Sequence, residues 1–196
     1  MPDHPLGRAA VVPVASLLLG GLTAYAQGFL PDALAPVANS AWAWTLLAAV
    51  LVAWARPGAG LAAVLGAVSL VFLVVGYAGA SHLRGLTYDP TRFGAVGLVV
   101  GPLVGVAAAW LRSTGVRAAL ATALLAGVGI GEGVYGLTTV AETTGVGTWV
   151  AACVVALGLL AVMLARRLRG ALPVAIATGG TVAVAAVFVL AYRALG

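Results

Sequence analysis

The chain has 196 residues, 63% of them hydrophobic and 8% charged, with a mean hydropathy of +1.14. A soluble domain carries roughly 45–50% apolar and about 25% charged residues, so this composition excludes a soluble enzyme, a nucleic-acid-binding domain and a disordered protein. The net charge of +5 rests on ten arginines against five acids, with no lysine; so few charges read as loop arginines that set membrane orientation.

A spanning helix needs about 20 apolar residues. Apolar runs between charged, proline or glycine-rich breaks predict seven helices, at 9–29, 41–55, 60–80, 93–111, 116–140, 147–165 and 171–193. The second run is the shortest, and its start could reach back toward Val37. The expected fold is an all-α, polytopic transmembrane helix bundle of seven spans, a single transmembrane domain over 1–196, multi-pass in the cell membrane. Ala24-Tyr25-Ala26 before Gln27 also has the form of a signal-peptidase site. Cleavage there would leave six spans.

Counting arginines by alternate loops puts Arg8, Arg56, Arg112, Arg117, Arg166, Arg167 and Arg169 on one side and Arg84, Arg92 and Arg193 on the other. The richer side is expected in the cytoplasm, with the N-terminus inside and the C-terminus outside. Trp42, Trp44 and Trp149 then fall near outer span ends, and Trp54 and Trp110 near inner ends. Asp3 and His4 sit at the N-terminus, and the single Cys153 reads as a small packing residue.

Lipid offers helices no hydrophobic drive to associate, so small residues must allow close approach. Gly97, Gly101 and Gly105 recur on one face of the fourth span. Gly127, Gly129, Gly131 and Gly133 form two overlapping pairs in the fifth. They read as packing faces, or as a thin, bent stretch beside a cavity. Pro102 is a candidate kink in the fourth span.

Of the five acids, only Glu132 falls inside a predicted span, in its outer half. A charged carboxylate there costs at least about 2.5–3.5 kcal/mol on insertion scales. It therefore reads either as a structural carboxyl bonded across helices, or as a proton donor, proton-coupled site or ligand anchor. Tyr25, Gln27, Tyr77, Thr138, Thr139, Asn39 and Ser40 fall at similar depth. That asymmetry suggests a polar or aromatic cavity opening outward, or simple interfacial solvation. In the loop after the third span, His82 and Asp89 are either a titrating pair or hydrated residues. No metal or cofactor signature is present, and no arginine ladder or channel filter. The arrangement of the spans permits an inverted repeat, although the halves show no sequence match.

The stretch Gln27-Gly28-Phe29-Leu30-Pro31-Asp32-Ala33-Leu34-Ala35-Pro36-Val37-Ala38-Asn39-Ser40, followed by Trp42, and the later Gly129-Ile130-Gly131-Glu132-Gly133-Val134-Tyr135 resemble a family of small actinobacterial seven-span membrane proteins. Within it the layout and the single acid are similar to the membrane-bound terpene cyclases of the drimentine type. That resemblance implies a metal-independent, protonation-initiated cyclase acting on a prenylated indole or sesquiterpenoid. It needs a neutral acid, a dry apolar chamber and aromatic faces for the cation. Glu132 would be the catalytic acid, with Asp32, Asp89 and Glu142 as fallback acids. Tyr25, Gln27, Asn39, Trp42, Tyr77 and Tyr135 would line the substrate site. The implied partners are the lipid bilayer and a hydrophobic small molecule, with no nucleic acid and no cofactor. Two other readings stay open: a transport component (a proton-coupled carrier or an importer's substrate-binding subunit), and a structural partner in a larger membrane complex.

Overall fold

The computed structural model describes residues 5–32 and 34–195. Asp3 and His4, placed at the terminus by sequence, lie outside the described residues. Among these residues all regular structure is helical: α1 (Pro5–Phe29), α2 (Ala41–Ala55), α3 (Ala59–Leu83), α4 (Thr91–Trp110), α5 (Gly115–Tyr135), α6 (Ala141–Thr144), α7 (Gly147–Arg166) and α8 (Ala171–Leu195). A 3₁₀ turn (Ala35–Asn39) precedes α2, and a π-helical turn (Gly136–Val140) joins α5 to α6.

The helices stop where the backbone demands it. After α2, Arg56 takes a positive φ of 54° and Pro57 cannot continue the helix. After α6, Gly145 turns the chain with a φ of 73°, a conformation that side chains with a Cβ rarely adopt. Pro102 sits inside α4, which runs unbroken through it.

Among the described residues six helical runs are long and apolar enough to cross a membrane; Gly115–Thr144 counts as one of them, at 30 residues. The predicted second span differs. Val37 belongs to the 3₁₀ turn, α2 begins only at Ala41, and it has 15 residues. At 1.5 Å per residue that is about 22 Å, short of the ~30 Å of a hydrocarbon core.

The chain divides into two compact units, Met1–Leu30 with Ala43–Ala109, and Pro31–Trp42 with Trp110–Gly196. In the first unit α3 packs against α1 and α4 through glycine seams. A Cβ on Gly20 would run into the Leu73 carbonyl, and one on Gly76 into the Leu17 carbonyl. Gly66, Gly101 and Gly105 bring α3 and α4 backbone to backbone in the same way. The fully buried Ser16 and Ser69 hydroxyls bond each other at 2.7 Å between α1 and α3.

In the second unit α5 is central and mostly buried, whereas most of α8 is not. Its four glycines serve two faces. Gly127 and Gly131 admit Val184, Ala185 and Phe188 of α8, while Gly129 and Gly133 admit Ala156 and Cys153 of α7. The spacing of four residues thus gives two small-xxx-small seams on one helix. Cys153 is half-buried packing against Gly133.

Candidate functional site

The second unit places a buried carboxyl against the start of a helix. Glu132, 3% exposed, projects from α5 between its two glycine faces. Its Oε1 accepts the Ala41 N–H at 2.8 Å. Its Oε2 accepts the Trp42 N–H at 2.7 Å and the Ser40 hydroxyl at 2.6 Å. The first N–H groups of any helix lack partners within that helix, and in a membrane no water supplies them. Glu132 supplies them for α2 from 91 and 90 residues away in sequence.

The partners suit the task. Ser40 stands immediately before the helix in extended backbone, with φ −85° and ψ 128°, the usual place and conformation of a capping serine. Its hydroxyl donates to the carboxyl and is itself 3% exposed. A carboxylate at a helix N-terminus also meets the positive end of the helix dipole. Beside it, Gly129 leaves the space in which the Trp42 indole nitrogen lies. Bonds to a charged group contribute roughly 1.5–3 kcal/mol each, so the ionised carboxyl with three of them anchors the start of α2.

Glu132 lies near the middle of the 30-residue run Gly115–Thr144. The start of α2 therefore meets that run at mid-height, and residues 35–40 reach it as non-α backbone. One turn beyond Glu132, α5 gives way to the π-helical turn Gly136–Val140, where Gly136 receives the face of the Trp149 ring. The Trp149 indole N–H donates to the Thr144 hydroxyl at 2.9 Å. Short π-helical turns inside helices occur often at functional sites.

The chain belongs to the family of unknown function DUF6518, which it matches over residues 1–196. That description assigns no reaction. No curated protein and no solved structure matches the chain.

The other candidate residues fall into separate groups. In the first unit the Tyr77 hydroxyl donates to Gln27 Oε1 at 2.5 Å. The Tyr77 ring packs 5.4 Å from Trp44 and 4.8 Å from Tyr88. The Arg84 guanidinium lies 5.5 Å over Tyr25, and its Nη1 donates to the Ala24 carbonyl. Burial, with the nearby Tyr77 and Asp89, pushes the Tyr88 hydroxyl up to about 12. In the second unit Tyr135 packs edge-on to Tyr192 at 5.3 Å, and Asn39 is exposed at the end of the 3₁₀ turn.

The fallback acids are all exposed: Asp32 in the connector, Glu142 in the first turn of α6, and Asp89 before α4. The partner found for Asp89 is Thr91, whose N–H donates to Oδ1 at 2.9 Å, and not His82. Sequence reasoning left Trp44, Arg84 and Tyr88 out of the site, and placed Ser40 at the depth of Glu132 without naming it a partner. Ser40 carried a usable signal, a serine just before an apolar run. The other three carried none beyond their loop or span-end positions.

Proposed function

We propose that the chain is a small-molecule transport component of the membrane, in which Glu132 latches the start of a short helix to a central helix. The observation that carries this reading is the trio of bonds from Ser40, Ala41 and Trp42 to one buried carboxyl. Carriers often combine a helix that starts within the membrane with irregular backbone beside a site at mid-depth. Here the connector 31–40 and α2 together make one crossing, which would return the chain to the arginine-rich side and keep seven crossings, N-terminus inside and C-terminus outside. Uptake of a proton by Glu132 removes its charge and turns one acceptor into a donor. The amides of Ala41 and Trp42 then lose charge-assisted partners, and the segment is released.

A cysteine at Ala38, which is buried at 4% exposure beside the latch, tests this in a Cys153→Ser background. Its maleimide labelling, normalised to a cysteine at the exposed Asn39, is expected to rise about tenfold or more from pH 8 to pH 5 in proteoliposomes. In Glu132→Gln it is expected to be fast at both. Normalised labelling that ignores pH would overturn the reading.

The cyclase reading keeps one supporting feature, the aromatic group of Tyr25, Trp44, Tyr77 and Tyr88 suited to a moving cation. A general acid, however, must offer its proton to a substrate, and both Glu132 oxygens are engaged by α2. Coexpression with a precursor-forming prenyltransferase discriminates the two. A cyclised isoprenoid that disappears in Glu132→Gln would favour the cyclase.

A further inference from the structure

A second feature lies at the far end of α5 from the π-helical turn. There α5, α7 and α8 close over a small core of Ala118, Ala119, Met163, Leu168 and Ala177. Around that core stand Arg112, Arg117, Arg166, Arg167 and Arg169, all exposed. The Arg167 Nη1 donates to the Arg112 carbonyl at 3.0 Å, which ties the loop after α4 to the loop after α7. Arg117 lies 6.0 Å over the Trp110 ring, a pairing of cation and amphipathic aromatic suited to a membrane surface.

No acid stands near these arginines in sequence: there is none between residues 90 and 131, and none after Glu142. Five like charges at one end of these helices repel one another and create a field that attracts anions. Next to the arginines the same helix ends expose Val116, Leu120 and Leu172 at 42%, 46% and 64%.

We propose that this end of the second unit binds the phosphodiester headgroup of an anionic phospholipid, whose acyl chains cover the apolar side chains beside it. Guanidinium groups match phosphate geometry in pairs of parallel bonds. Apolar surface directly below them is what a lipid uses and a soluble anion does not. Each basic residue near an anionic bilayer adds roughly a factor of five in binding.

The test uses the full chain in detergent, with native mass spectrometry counting retained lipid and thermal unfolding measured beside it. The probes are phosphatidylglycerol, phosphatidylcholine and inorganic phosphate. Wild type is expected to retain phosphatidylglycerol about tenfold or more over phosphatidylcholine, and to gain stability with it. Arg166→Gln/Arg169→Gln should lose that preference, Arg166→Lys/Arg169→Lys should keep most of it, and Arg92→Gln/Arg193→Gln, outside this cluster, should keep all of it. The proposal is overturned by equal retention of the two lipids in wild type. It is overturned equally by a preference that survives in Arg166→Gln/Arg169→Gln, or by stabilisation from phosphate alone that matches the lipid's.

Discussion

The two units solve the problem of joining apolar helices by different means. In the first, α3 meets α1 and α4 along glycine seams, Ser16 with Ser69 and Tyr77 with Gln27 join neutral groups between helices, and Arg84 at the end of α3 adds a charged bond to the Ala24 carbonyl. In the second, α5 has glycine seams on two faces and, between them, an acid that holds irregular backbone and the start of a short helix. Seams of backbone against backbone have one good arrangement, because interiors are close-packed and tolerate little change. A carboxyl that holds its partners through charge can release them when it changes protonation state. The first unit therefore reads as a frame, and the second as the place where movement would begin.

The largest effect should come from removing the latch. Glu132→Ala leaves three donors at the start of α2 without their acceptor, which costs about 4 kcal/mol or more. Thermal unfolding in detergent should show a large loss or no folded protein. Glu132→Gln, which keeps an oxygen and replaces the other with a donor, should cost about half as much. If Glu132→Ala unfolds like wild type, the contrast between the units collapses.

A smaller effect probes the frame. Gly76→Ala drives a Cβ into the Leu17 carbonyl, whereas Gly79→Ala, three residues along the same helix, meets open space. The first should destabilise by about 1–3 kcal/mol. The second should be neutral or slightly stabilising, since alanine is the better helix former. Equal behaviour of the two variants would show that the seam does not hold α1 to α3.

The smallest effect lies at the start of α4. The hydroxyl and amide of Thr91 hold Asp89 below its ordinary value of 3.8. A carboxyl depressed by folding stabilises above its unfolded value, and that contribution is lost as pH falls through the lower, folded value. The Thr91 amide resonance should therefore titrate below pH 3.8 in wild type and stay flat in Asp89→Asn.

Much of the fold was legible in local pattern. The six long helices follow from runs of about 20 apolar residues, and the breaks at Arg56-Pro57-Gly58 and Thr143-Thr144-Gly145 follow from turn chemistry. Spacings of four residues marked Gly97, Gly101 and Gly105 as one seam, and the four glycines of α5 as two. The site was legible only in part. Glu132 stood out because a carboxyl at that depth needs an explanation. Its partners did not, since the bonds run to backbone amides that no residue type announces.

Composition and periodicity thus determined that this chain is a bundle of apolar helices with one acid inside it, because burial in lipid constrains every residue along a span in the same way. Only the tertiary structure decided what that acid faces. The amides of Ala41 and Trp42 find their acceptor only because α2 starts beside the middle of the α5 run, and that meeting depends on how the chain folds back over 91 and 90 residues.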